Sequence, residues 1–220
     1  ADDQSLRHRG YWSGGRTNHY FFDLNRDWFL ATQPETAARL QLITSWNPQV
    51  LIDAHEMGAQ ATFLFSPPRE PNNPLVTDLQ RRWWAVFAAD HAAAFDREGW
   101  PYYTGDWHEE WYPGFATSWA AGVGAVGLLH EQARTDGARV ARLDGGVLTF
   151  RESIRRQGVG LMANLETAAA HREELLRSYR DERRRELAAG QSAFVILPHG
   201  QPERARAIVS GLLAQKIEVF

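Results

Sequence analysis

Three short polar clusters join residue types that bind anions, hold metals or move protons. Asn25-Arg26-Asp27 sets an amide beside a guanidinium, a pair able to grip a carboxylate through bidentate and amide hydrogen bonds. The alternative is a surface ion pair between Arg26 and Asp23 or Asp27. Asp53-Ala54-His55-Glu56 follows an apolar run, and a strand-end histidine is a good zinc ligand when its surroundings are open. A purely local hydrogen bond is the competing role for His55. Glu131 ends a glycine-rich apolar run, where loss of water would raise its pKa toward that of a general base. An ordinary strand-terminal acid is the other reading. Tyr112, within Trp111-Tyr112-Pro113-Gly114, is either a phenol over the site or a packed ring. Arg16 is the loop arginine of interest, because it lies just upstream of the first expected strand.

The elements that must position these groups follow from periodicity and punctuation. Residues 20–24 and 49–53 read as strands, each running into one of the polar clusters. Between them Pro34-Glu35 opens a helix and Pro48 closes it, with Ala37, Leu40, Leu42, Ile43 and Trp46 as the apolar face. Strand–helix–strand with short connections predicts a parallel pair with a right-handed crossover. Ligands in open α/β sheets sit at the carboxyl ends of strands, so both clusters are expected at one site. Residues 61–65 read as a third strand, 75–97 as a helix, 99–121 as a long aromatic and acidic loop, and 122–131 as a buried strand. A helical region is expected over 147–187, broken near Gly158 and Gly160. Its charged second half contains His171-Arg172-Glu173-Glu174, an HxxE pattern that reads as a solvated face.

Composition narrows the function classes. The 220 residues carry a formal charge of −3, which argues against nucleic acid or an anionic membrane surface as main partner. There is no cysteine, so disulfides and thiolate zinc sites are excluded. No apolar run approaches the roughly 20 residues needed to span a bilayer. Nine Trp and eleven Phe supply bulk for a core, and their clustering before residue 120 also suits a cleft lining. His55-Glu56 is not a helical HExxH site, because position 59 is Ala. After residue 190 the pattern turns to strand 192–197, helix 203–215 and strand 217–220. The expected organisation is therefore a partial α/β domain over 1–189 and, from 190 to 220, the start of a second α/β domain or a docked appendage.

Taken together, Asp23-Leu24-Asn25-Arg26-Asp27-Trp28, Asp53-Ala54-His55 and Gly127-Leu128-Leu129-His130-Glu131 resemble the zinc metallocarboxypeptidases of the M14 family. The similarity is to large bacterial members with the pattern GRxNHYxFDxNRDW…QPET…DxHEMG…YPG…GAxGxxxEQ, and it covers roughly residues 10–187. It implies an α/β/α fold with a mixed, mainly parallel sheet. It further implies Zn2+ as cofactor, with His55 as the C-terminal ligand and Asn25 and Arg26 holding the substrate carboxylate. Arg16 would stabilise the developing oxyanion, Glu131 would be the general base and Tyr112 the mobile tyrosine. The substrate would be a peptide or related amide with a free carboxylate, met outside the cytoplasm as for exported relatives. The family takes its other two zinc ligands from an HxxE motif upstream of the Asn-Arg pair. Here His8 is followed three residues on by Tyr11, and His19 by Phe22. The expectation is a fragment that starts after that motif, lacks two of three ligands and partners other segments of one longer polypeptide. Two other readings fit the same residues: a carboxylate- or peptide-binding module without zinc, and an acylase of N-acyl amino acids.

Overall fold

The central element is the strand β3 (Val126–Ala133), which is buried along nearly its whole length. In this computed structural model, which describes residues 17–135, 137–189 and 194–220, β3 lies between two partners. The strand β1 (Val50–Met57) pairs with it in parallel, and the short β2 (Phe63–Phe65) pairs antiparallel on its other side. The architecture is mixed α/β, a small mixed sheet with helices packed on it.

β1 is longer than expected. It does not stop at Asp53 but continues through Met57, because β3 offers a partner to every residue from Val50 to Met57. Successive side chains on a strand alternate between faces. Asp53 and His55 therefore share one face with Leu129 and Glu131 of β3, while Ala54 and His130 share the other.

The expected strand at 20–24 does not form. Among the described residues the region contributes a single antiparallel bridge, Thr17 to Asp23. Asn18 folds it into a turn, its side-chain oxygen accepting from the backbone N–H groups of Tyr20 and Phe22 at 3.0 and 3.1 Å. The run of aromatics has strand propensity, but propensity without a sheet edge to pair with gives no strand. The parallel crossover accordingly joins β1 to β3, and not 20–24 to 49–53.

Helix α1 (Pro34–Trp46) opens at Pro34 as expected. Its buried residues are Thr36 and Leu40, whereas Leu42 is 63% and Trp46 80% exposed, so the expected apolar face is too wide. The start of α1 is held by Asp27, which accepts from the Thr32 and Gln33 N–H groups at 2.9 Å and from the Thr32 hydroxyl at 2.7 Å. Burial pushes the Asp27 carboxyl up, but these hydrogen bonds outweigh it and leave the pKa below its ordinary value. Asp27 is thus a structural acid, and it takes no part in pairing Arg26.

Helix α2 (Asp78–Glu98) begins with a capping box of Thr77 and Gln80 and ends at Gly99, whose φ of +67° suits glycine. Trp84 of α2 donates its indole N–H to the Gly127 carbonyl at 2.8 Å, tying the helix to β3. The 99–121 loop is interrupted by a helix, α3 (Ala116–Gly122), so the buried strand starts at Val126 and not at 122. β4 (Arg139–Ala141) and β5 (Val147–Thr149) form a hairpin around Asp144-Gly145, whose residue types suit a tight turn. The expected long helix is two, α4 (Phe150–Ala170) and α5 (Arg172–Ala188), broken at His171 and not near Gly158 or Gly160. His171 is therefore a junction packed edge-on against Trp83, with Glu174 3.5 Å away. Helix α6 (Pro202–Ala214) forms, but neither 194–197 nor 217–220 is a strand. Phe194 and Val195 are exposed and, among the described residues, no strand lies beside them to complete a ladder. Gln215, just after α6, accepts from the Trp119 indole at 2.7 Å and donates to the carbonyls of Trp28 and Phe29.

The buried aromatic residues form three groups in the core. Trp83, Trp84 and Phe87 pack with Val126 and Leu128; Trp28 and Trp119 pack with Leu40; Phe63, Phe65 and Phe95 form a third group. None of the helices is long and apolar enough to cross a membrane among the described residues.

The rear face of β3 buries two histidines. His130 meets His91 of α2 at 4.7 Å between ring centroids, and His91 stacks on Phe65 at 3.9 Å. The amide of Asn164 lies 2.7 Å from His130 Nε2. Gly160 gives α4 its closeness here, since a Cβ would fall 2.7 Å from His91 Nε2. Burial pushes His130 down to about 4, and burial with the charge of His130 pushes His91 down to about 2. In the unfolded chain both titrate near 6.5. Below that value the unfolded state binds more protons, so stability present at neutral pH is lost as pH falls toward 4. Urea midpoints should drop on going from pH 7 to 5, with about 2 kcal/mol lost per histidine. The variant His91→Phe should flatten that dependence, and an unchanged slope would disprove the assignment.

Candidate functional site

On the opposite face of the same strands lies an open cavity of about 310 Å³, lined by Asn25, Arg26, Asp53, His55, Glu131 and Phe115 among others. The parallel register sets His55 directly across from Glu131. Asp53, two residues earlier on the same face, reaches His55 Nε2 with Oδ2 at 2.7 Å. The same Oδ2 accepts from Asn25 Nδ2 at 3.0 Å, and that nitrogen is also 3.2 Å from His55 Nε2. Nε2 can donate to Asp53 or accept from Asn25, but not both at once.

The Asn25-Arg26 pair reaches this sheet face from the turn after Asp23. Asn25 is held from two sides, since its Oδ1 accepts from the Ala116 N–H at the start of α3 at 3.0 Å. Arg26 donates from Nη1 to the Asn25 carbonyl at 2.9 Å, and its Nη1 lies 3.9 Å from Asp23 Oδ2. Its guanidinium lies over the Phe115 ring, 4.4 Å from the centroid. Tyr112 sits beside this clamp, its hydroxyl donating to the Arg26 carbonyl at 2.8 Å.

Of the residues singled out by sequence, Asn25, Arg26, His55 and Glu131 thus meet around one cavity. Tyr112 stands next to Arg26 and is engaged with the backbone. Arg16 lies outside the described residues. Sequence reasoning missed Phe115, Arg69, Trp107 and His108 as lining residues. His108 is buried with its Nε2 3.2 Å from the buried Glu110, and Ser118 donates to the other oxygen of that carboxylate. Trp107, His108 and Phe115 come from the aromatic loop and Arg69 from the turn-rich loop after β2, where no periodicity marks which side chains turn inward.

The described residues do not complete a zinc site. No group of three or more His, Cys, Asp or Glu side chains among them is arranged to hold a metal ion. A catalytic zinc takes three protein ligands, and His55 supplies one imidazole whose Nε2 is engaged with Asp53.

No family model matches the chain, and no curated protein matches it. A solved structure does. The crystal structure of a metallo-carboxypeptidase from Burkholderia cenocepacia superposes with a TM-score of 0.51 at 18% identity, over 70% of this chain and 40% of that one. The fold is carboxypeptidase-like. Within that carboxypeptidase-like fold, the chain spans less than half the length of the solved relative.

Gly127 is the residue on which the site's geometry tightens. A Cβ there would come 2.4 Å from the Thr117 carbonyl oxygen, a backbone atom that can yield only if α3 moves. Gly127→Ala is expected to cost about 1–3 kcal/mol in urea denaturation and to loosen the Ala116 contact to Asn25. A midpoint equal to that of the wild type would show that α3 can shift without cost.

Proposed function

We propose that the cavity is the substrate-carboxylate side of a zinc metallocarboxypeptidase-type hydrolase that cleaves a C-terminal peptide or related amide bond. The observation that carries the reading is the meeting of Arg26, His55 and Glu131 at one cavity, one turn-borne and two strand-borne groups brought together from distant parts of the chain. The carboxypeptidase-like fold supports it. Arg26 binds the terminal carboxylate by charge-assisted, bidentate hydrogen bonds. Asn25 orients the pair, because its amide joins the Arg26 turn to Asp53 and to α3. Glu131 accepts and returns the proton of the attacking water. His55 would be one donor to a zinc ion, whose chemistry would be to polarise the scissile carbonyl and the attacking water. The described residues supply no complete ligand set for that ion. The substrate is a peptide or other amide with a free carboxylate, met outside the cytoplasm, and other segments of a longer polypeptide would be partners.

Titrating the chain with N-acetyl-L-alanyl-L-alanine and with its C-terminal amide, followed by tryptophan fluorescence, tests the reading. The acid should bind more tightly, and Arg26→Ala should weaken it about tenfold or more, the loss of a hydrogen bond to a charged group. Equal affinity for acid and amide would sink the proposal. Where hydrolysis is measurable in the zinc-loaded full-length protein, Glu131→Gln should lower it about 100-fold or more while the acid still binds. Undiminished turnover would remove Glu131 from the reaction.

A further inference from the structure

Arg26 is carried by a turn, and a turn does not by itself fix a long, flexible side chain. The Arg26 Nη1 is tied back to the Asn25 carbonyl at 2.9 Å, and the stretch 112–116 clasps the Asn25-Arg26 pair at several further points. The Tyr112 hydroxyl donates to the Arg26 carbonyl at 2.8 Å, and the Ala116 N–H donates to the Asn25 side chain at 3.0 Å. Trp28 N–H donates to the Gly114 carbonyl at 3.2 Å. Position 114 has no room for a side chain, because a Cβ would lie 2.4 Å from the Arg26 carbonyl oxygen. Phe115 is the centre of this clasp. Its ring lies under the guanidinium at 4.4 Å, packs edge-on against Tyr112 at 5.4 Å and lines the cavity.

We propose that Phe115 is a positioning residue for Arg26, holding the guanidinium flat on an aromatic face so that its outer edge meets a substrate carboxylate. This rests on the reading of Arg26 as the carboxylate clamp. A guanidinium is planar and weakly hydrated, and it stacks on aromatic rings while its N–H groups stay available in the ring-parallel plane. Ordering the arginine before the ligand arrives removes part of the entropy that binding would otherwise cost. The main-chain bonds of the clasp place the Arg26 backbone, and the Phe115 ring orients its side chain.

The experiment compares the acid and amide of N-acetyl-L-alanyl-L-alanine on the whole chain, with folding of every variant checked by circular dichroism and thermal midpoint. Phe115→Leu should weaken the acid about three- to tenfold and leave the amide unchanged, so that selectivity for the carboxylate falls. Phe115→Met, which keeps bulk without a π-face, should behave like Phe115→Leu and covers the case in which that variant does not fold. Phe115→Tyr and Phe115→Trp should restore selectivity. If the aliphatic variants weaken acid and amide equally, or change neither, Phe115 is only packing and the inference is overturned. If Arg26→Ala leaves acid binding intact, the clamp reading itself fails, and the role of Phe115 with it.

Discussion

The site depends first on the parallel pairing of β1 with β3. Eight consecutive residues of each strand are in register, and that register alone decides that His55 faces Glu131. A slip of one residue would turn every side chain to the opposite face of the sheet. With β1 slipped, His55 and Asp53 would point into the rear layer of aromatic rings while Glu131 of β3 stayed at the cavity, and the two would no longer meet. Burial of β3 on both faces fixes the register. The rear face carries a layer built on His91, His130 and Phe65, and the front face carries the charged cavity.

The second half of the site is built without strands. Close contact between α3 and β3 at Gly127 brings the start of that helix over the sheet. The Ala116 N–H there reaches Asn25, and Phe115, immediately before it, reaches Arg26. Asn25 then joins the turn, the β1 acid and α3 in one hydrogen-bonded unit. A site assembled this way is rigid where glycine permits backbone contact. Gly114 and Gly127 thus act through what they lack, not through backbone freedom.

The balance of the two faces of β3 is also chemical. Histidine at position 130 is kept neutral by burial, while one residue later Glu131 looks into an open, polar cavity. Alternation along a strand separates an apolar environment from a charged one within a single residue step. This is how one short strand can serve both as the centre of the core and as a wall of the site.

Much of this was legible in the sequence, because it rests on local signals. Pro34 announces α1, the apolar runs announce β1 and β3, and the residue types at Asn25-Arg26, His55 and Glu131 announce anion binding and proton transfer. The strand expected at 20–24 and those expected after residue 190 were misread, because a run of aromatics or aliphatics becomes a strand only if another strand lies beside it. The break at His171, the exposure of Trp46 and the helix inside the aromatic loop were likewise not visible, since each is settled by neighbours distant in the chain. Residue types and local patterns fix which chemical groups are available and the rough elements that carry them. Packing of distant segments puts Phe115 under Arg26, a contact that no local pattern encodes; that Asp53 engages His55, and that Asp27 holds the entry to α1 instead of pairing with the arginine, are local contacts chosen among alternatives by the neighbours packed around them.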